Sequence, residues 1–203
     1  SSIKVNGEST GKIVGREVFK NTDTPDPGDA YAISKLKAEK ALWEISAERG
    51  LEVVILRLPL VYGKEVKGNL QKLIKFVKLG IPLPLSIIKN QRSMIGIDNL
   101  VDILINCTNH PDAPGNTFLV SDDKDLSTSD LIRLIATSIG KNARLFPAPL
   151  FLLKFFGYIF GKKKEIDRLV GSLRVDNSFA KKTLQWTPTI SVEEGIRKMV
   201  QGK

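Results

Sequence analysis

An α/β fold built on a parallel sheet is the class this sequence predicts, and three observations predict it. A helical pattern that begins near Asp29 and stops at Gly50 leads straight into Leu51–Leu58. That Val/Ile/Leu run, broken only by Glu52 and Arg57, has the pattern of a strand buried on both faces. Downstream, short strands alternate with capped helices, the order that crossover helices on a parallel sheet require. With 203 residues, 42% hydrophobic and 26% charged, the chain is long enough to bury a substantial core and ordinary enough in composition to exclude collagenous, low-complexity and disulfide-scaffold classes.

The elements follow in order. The first thirty residues are polar and turn-rich, and the cluster Thr24-Pro25-Asp26-Pro27-Gly28-Asp29 ends one segment and prepares the next. In the helix that follows, Ser34, Ala38, Ala41, Leu42 and Ile45 recur at the three-, four- and seven-residue spacings of one face. After the strand, Leu70, Leu73, Ile74 and Val77 make a second amphipathic helix closed by Gly80. Ser93–Ile97 reads as a short strand, with Asp98 placed to cap a helix through Leu104 and Cys107. Thr117–Val120 is a further strand, and Ser127–Asp130 offers caps for a helix over Leu131–Ile139 that Gly140 ends. A helix near Asn177–Leu184, the turn Trp186-Thr187-Pro188 and the capping box Ser191-Val192-Glu193-Glu194 complete the chain. Composition shifts after about residue 64, which predicts an α/β unit over 1–64 and a smaller lobe over 65–203, with some later segments returning to the sheet.

Several functions are disfavoured by composition. Cys107 is the single cysteine and His110 the single histidine, so neither a classical zinc site nor a Ser/His/Asp triad is expected and no metal is assigned. Cys107 reads as a small core residue, and His110, before Pro111, as a helix terminator. The net charge of +9 favours anionic partners without choosing among them, and no aromatic and basic alternation or recognition-helix spacing points to nucleic acid. Ser1–Gly7 lacks the basic and apolar regions of a secretory signal, and a cytoplasmic protein is expected. The greasy stretch Leu145–Phe160 is interrupted by Pro147, Pro149, Lys154 and Gly157 and is too short to span a membrane. Followed by Lys162, Lys163 and Lys164, it fits a surface-seeking helix, but a core-facing helix with a solvated basic end is the expected form, and membrane association is not.

The chemistry-bearing segment is Tyr31-Ala32-Ile33-Ser34-Lys35, because residues four apart on a helix share a face. An ammonium fixed beside a phenol favours the ionised phenol, which is what a general acid/base needs near neutral pH. Alone, Tyr-x-x-x-Lys is common and fits a half-buried tyrosine beside a solvated lysine. Its surroundings lift it: Ser1-Ser2, then Val5-x-Gly7-Glu8, then the Pro/Asp/Gly punctuation, and after the buried strand Arg57-Leu58-Pro59-Leu60-Val61-Tyr62-Gly63.

In this order of motifs the chain resembles the extended short-chain dehydrogenase/reductases, specifically the NAD-dependent epimerase/dehydratase family that acts on nucleotide sugars. The resemblance runs on through Lys67-Gly68-Asn69-Leu70, Arg92–Asp102 and Leu184-Gln185-Trp186-Thr187-Pro188. It implies the C-terminal part of a Rossmann-like parallel sheet within 1–64, and a nucleotide-sugar-binding lobe over most of 65–203. It further implies that Tyr31 is the acid/base on a sugar hydroxyl or ketone, that Lys35 holds the nicotinamide ribose and favours the tyrosinate, and that Ser2 hydrogen-bonds the reacting oxygen. Pro59–Val61 would face the nicotinamide, Asn69 and Leu70 would contact a uridine diphosphate, and Arg92 with Arg168 or Arg174 would bind the diphosphate. Plain structural roles stand beside these: Asn69 as a helix N-cap, Arg92 as a surface strand residue, and, as the favoured reading of both, Trp186 as a core plug and Asp98 as a cap.

Dehydratases of the family place an acidic pair where this chain has Ile3-Lys4, so 4,6-dehydration is not expected. The Ser-Ser-Ile-Lys-Val-Asn-Gly-Glu version and the run Gly80-Ile81-Pro82-Leu83-Pro84-Leu85 are similar to bacterial UDP-glucose or UDP-N-acetylhexosamine 4-epimerases, or to 4-keto-sugar reductases of surface-polysaccharide pathways, which share a hydride step at sugar C4. A non-catalytic sugar-nucleotide-binding module is the remaining alternative. NAD or NADP is the implied cofactor, a UDP-sugar the implied partner, and a homodimer through the Tyr31/Lys35 helix is possible in this family. Gly7, Gly11 and Gly15 have the wrong spacing for the Gly-rich turn that cradles a dinucleotide pyrophosphate, and no buried strand precedes them. A C-terminal fragment of a longer enzyme, binding NAD weakly or not at all by itself, is therefore expected.

Overall fold

Asp29 starts the first long helix of the computed structural model, which describes residues 1–12 and 17–202; Gly15 lies outside them. In chain order the elements are α1 (Ala30–Arg49), β1 (Ile55–Arg57), β2 (Leu60–Tyr62), α2 (Asn69–Lys78), β3 (Met94–Gly96), α3 (Ile97–Asn109), β4 (Thr117–Leu119), α4 (Thr128–Ser138), α5 (Leu150–Ile159), α6 (Lys163–Val170), α7 (Ser178–Leu184) and α8 (Val192–Gln201). They divide into two units, one formed by 1–61, 93–124 and 173–190, the other by 62–92, 125–172 and 191–203.

In the first unit, α1 opens on the Asp29 carboxylate, which accepts the Ala32 N–H at 2.8 Å, and closes on Gly50 at φ +67°. A left-handed residue is needed there to turn the chain back, and glycine takes that conformation without a Cβ clash. β1 runs parallel to β4 in the register Ile55 to Thr117, Leu56 to Phe118 and Arg57 to Leu119. The strand is shorter than the apolar run Leu51–Leu58, because apolar residues mark burial while a ladder also needs a partner alongside. The arrangement continues past β1 in a parallel bridge between Leu58 and Ser2, with the Ile3 N–H donated to the Leu58 carbonyl at 2.9 Å. Leu60 and Val61 of β2 belong to this unit, and β2 pairs with β3.

The core of this unit joins Leu56, Ile95, Ile103, Cys107, Phe118, Val120, Ala180, Leu184 and Trp186. Cys107 is buried, which raises its thiol pKa, and His110 ends α3 with its N–H on the Asn106 carbonyl, so both take the structural roles expected of them. Trp186 is likewise a core residue, its Nε1 donating to Asp102 at 2.7 Å. Asp98 departs from expectation: α3 starts from Gly96, so Asp98 sits inside the first turn, where a carboxylate still favours the positive helix end but does not cap it.

The second unit packs α4 against α2 and α8, and α5 against α6. Ser127 and Ser191 cap α4 and α8 by accepting the N–H groups of Asp130 and Glu194. Gly195 lets α8 approach Tyr62, since a Cβ there would lie 2.8 Å from the phenolic oxygen. Buried Asn90 ties the end of α6 to the start of α4: its Oδ1 accepts the Thr128 N–H at 2.9 Å and its Nδ2 donates to the carbonyls of Leu169 and Gly171.

Two apolar surfaces differ from the sequence reading. The stripe Ala38, Ala41, Leu42 and Ile45 on α1 is exposed, and the helix buries Ala32 and Glu39 instead. α5 is not a core-facing helix, because it buries only Leu153 and Gly157. Among the described residues, no helix is long and apolar enough to cross a membrane.

Candidate functional site

Tyr31 occupies the first turn of α1 and Lys35 the next, so the Asp29 cap fixes where both side chains leave the helix. The Lys35 ammonium lies 5.6 Å from the centroid of the Tyr31 ring, within cation–π range, and the tyrosine is 53% exposed. Among the described residues no carboxylate pairs with Lys35, and its ammonium lies over the Tyr31 ring.

Ser2 is buried and bridges Leu58, and its Oγ accepts the Lys4 N–H at 3.3 Å. The Ser1–Ser2 segment leads into the turn Ile3–Val5, which packs on α1. Pro59 is buried and Val61 partly buried, where the chain passes from β1 to β2. Ser2, Tyr31, Lys35, Pro59 and Val61 all belong to the first unit.

What holds this arrangement is a buried charged network that sequence patterns do not display. Arg57, the last residue of β1, donates Nε to Glu39 Oε1 at 3.0 Å and Nη2 to Oε2 at 2.7 Å, a two-pronged contact from strand to helix. Its Nη1 donates to Asn6 Oδ1 at 2.9 Å, and Asn6 Nδ2 reaches the Lys20 carbonyl. All three side chains are buried. The available signals were an arginine inside a run of buried β residues and a glutamate one turn beyond Lys35.

Lys4, at the position where an acid would favour dehydration, pairs with Glu8 and with Asp29. The hydrogen bond from Lys4, then that from the Ala32 amide, lowers the Asp29 pKa from 3.8 to about 2. A carboxyl depressed in the folded state contributes stability that is complete above about pH 4 and is lost as pH falls toward the folded pKa. Asp29→Asn should accordingly flatten the loss of stability between about pH 4 and pH 2 in acid titrations followed by circular dichroism. Asp29→Ala should cost about 1 kcal/mol at neutral pH, read as a lower urea midpoint.

The remaining candidates lie in the second unit. Asn69 is exposed and is the first residue of α2; the N-cap is Gly68, at φ +75°, so Asn69 does not serve as the cap. Leu70 is buried in the helix layer. Arg92 and Arg168 come together: Arg92 Nη1 donates to the Arg168 carbonyl at 2.8 Å and to that of Gly171 at 3.2 Å. Arg92 thus fastens the end of α6. Arg174 belongs to the first unit, where its carbonyl accepts the Phe19 N–H.

Comparison with known proteins gives a family and a fold. The profile of the NAD dependent epimerase/dehydratase family matches residues 1–121. A UDP-glucose 4-epimerase of Vibrio cholerae is 45% identical over 202 residues, 99% of this chain, and the chain spans 61% of that relative's length. Two solved structures share the fold: UDP-N-acetylglucosamine 4-epimerase from Bacillus cereus, at a TM-score of 0.78 and 17% identity over 99% of this chain and 63% of the other, and UDP-glucuronic acid 4-epimerase from Bacillus cereus in complex with NAD, at 0.75 and 20% over 99% and 58%.

Proposed function

Since the chain belongs to the NAD dependent epimerase/dehydratase family, we propose that its protein is an NAD-dependent nucleotide-sugar 4-epimerase in which Tyr31 is the acid/base. The observation that carries this reading is the Tyr31–Lys35 pair on a capped helix beside the Ser2 segment. The V. cholerae relative supports UDP-hexose as the substrate class.

The residues present fit the nicotinamide-ribose end of a dinucleotide. Lys35 offers an ammonium without a carboxylate partner among the described residues, next to an exposed phenol. When bound, the dinucleotide supplies the redox chemistry at sugar C4. Tyr31 Oη takes the proton of the 4-hydroxyl as that carbon is oxidised and returns it when the carbonyl is reduced. Lys35 binds the ribose hydroxyls and stabilises the phenolate that precedes the first proton transfer and reforms after the second. The Ser2 hydroxyl, whose oxygen accepts the Lys4 N–H, keeps its own proton to donate to the reacting oxygen. Pro59–Val61 line the nicotinamide side with main chain.

In the second unit, the amides of Asn69 and Leu70 lie in a first helical turn, where N–H groups lack intrahelical partners and favour an anion. Together with Arg92 and Arg168 they supply the donors for a diphosphate. The exposed stripe Ala38, Ala41, Leu42 and Ile45 supports self-association through α1.

Incubation of the full-length protein with NAD and UDP-glucose, and separately with UDP-N-acetylglucosamine, tests the reading. Interconversion at C4 without net NADH is expected; no epimerisation of either sugar overturns it, and stoichiometric consumption of added NADH with a UDP-4-keto sugar, in the absence of epimerisation, marks a reductase instead. Arg92→Ala should lose charged hydrogen bonds of about 1.5–3 kcal/mol, which corresponds to roughly 10- to 150-fold weaker UDP binding. A fall in Tm with unchanged UDP affinity would leave Arg92 as the fastener of α6 alone.

A further inference from the structure

We propose that the hairpin of α5 and α6 is a docking surface for an anionic lipid bilayer, a role that goes beyond the proposed sugar chemistry and does not depend on it. The helix α5 is amphipathic in the reverse sense. Its buried line is Leu153 and Gly157, four residues apart, and it faces α6 so closely that a Cβ on Gly157 would lie 2.7 Å from Ile166 Cγ1. Gly161, at φ +64°, makes the turn, and the Lys162 N–H closes it on the Gly157 carbonyl at 2.6 Å. On the opposite side, at three- and four-residue spacings, stand Phe151, Phe155, Tyr158 and Ile159, all exposed, with Phe151 at 69% and Tyr158 at 75%. Phe156 and Phe160 widen the face, and ring contacts link Phe155 to Phe156 and Phe156 to Phe160.

Scattered exposed apolar residues need no explanation, but a contiguous aromatic face does. Charge decides what covers it. Lys154 on α5, Lys162 at the turn and Lys163, Lys164 and Arg168 on α6 are exposed, against Glu165, which pairs with Lys162 at 3.6 Å, and Asp167 in the same hairpin. An aromatic face on a lysine-rich hairpin matches a surface with anionic headgroups over an apolar layer, the arrangement of interfacial helices that lie in the membrane plane. Ten residues of helix reach only about 15 Å, which suits lying in the interface and not crossing it. The net charge of +9 acts in the same direction.

The test is co-sedimentation of the full-length protein with phosphatidylcholine vesicles, with and without phosphatidylglycerol. Binding to the phosphatidylglycerol vesicles is expected, falling with salt, and weakened about tenfold or more by Phe151→Ser with Phe155→Ser and by charge reversal at Lys162, Lys163 and Lys164. The phenylalanines are exposed, so the serine variant should keep its Tm and its turnover of water-soluble nucleotide sugar. Phe155→Trp gives a direct reading: brominated phosphatidylglycerol should quench its fluorescence beyond the quenching seen in the parent protein. Absence of phosphatidylglycerol-dependent sedimentation, or binding that survives the serine variant, overturns the proposal. So does a dimer in lipid-free buffer that the same serine variant dissociates, because the face would then belong to a second copy of the chain.

Discussion

Tyr31→Phe in the full-length protein is expected to lower kcat by about 10²- to 10⁴-fold while KM for the nucleotide sugar changes little. The substitution removes one hydroxyl and keeps the ring against which the Lys35 ammonium sits at 5.6 Å. The side chain is half exposed, and α1 is held by its Asp29 cap, its Gly50 terminator and Glu39, so the fold does not depend on the phenol. Loss of a group that moves a proton only during the chemical step appears in kcat, because ground-state binding never used it. Steady-state kinetics with matched thermal melts decide the matter. A loss smaller than about tenfold would remove Tyr31 from the acid/base role, since general acid/base groups contribute more than that. Lys35→Met should weaken cofactor binding as well as turnover, which distinguishes the lysine's two tasks from the tyrosine's one.

Glu39→Ala is the substitution expected to damage the fold most. It strands the Arg57 guanidinium in a buried position with only Asn6 as a side-chain partner among the described residues, and removal of one member of a buried ion pair typically costs about 3–5 kcal/mol. For a chain of this size that corresponds to a Tm about 6–20 °C lower. Replacing both partners with apolar side chains, Glu39→Leu with Arg57→Met, should recover most of the loss, because desolvation of the two charges offsets much of their attraction. If the single variant costs less than about 1 kcal/mol, water reaches the pair and the network does not anchor α1. The network's place between β1, α1 and the Asn6 segment also predicts a kinetic signature. Glu39→Gln, which retains the size and one acceptor, should keep a larger share of kcat than Glu39→Ala.

The parts of this molecule legible in the sequence are those set by chemistry within a few residues. Asp29 and Gly50 bound α1 because a carboxylate satisfies the first amides and glycine takes the left-handed turn. Ser127 and Ser191 start α4 and α8 for the first of these reasons. The Tyr31–Lys35 contact was legible because a helix brings residues four apart onto one face wherever the helix itself lies. Cys107 and Trp186 announced their burial through the apolar and turn patterns around them.

Other features depended on which segments meet. Asp98 missed the cap position by the short distance that β3 hands directly to α3. The helix α6 carries Lys163, Lys164, Glu165, Asp167 and Arg168, so its sequence shows little beyond charge, and it is held by packing on α5. Apolar patterning on α1 and α5 indicated which residues share a face, but hydrophobicity has no direction. Whether a stripe turns inward is settled by the neighbour available to receive it.

The sequence by itself determined the family, the α/β class, most element boundaries and the adjacency of the phenol and ammonium, because each rests on residue identity and short-range geometry. Only the tertiary structure decided that Glu39, Arg57 and Asn6 form one buried network, that Arg92 fastens Arg168, and that the aromatic face of α5 points away from its own core. Those outcomes join residues up to 76 positions apart, where pairing follows from chain topology and from the cost of leaving a buried charge unsatisfied.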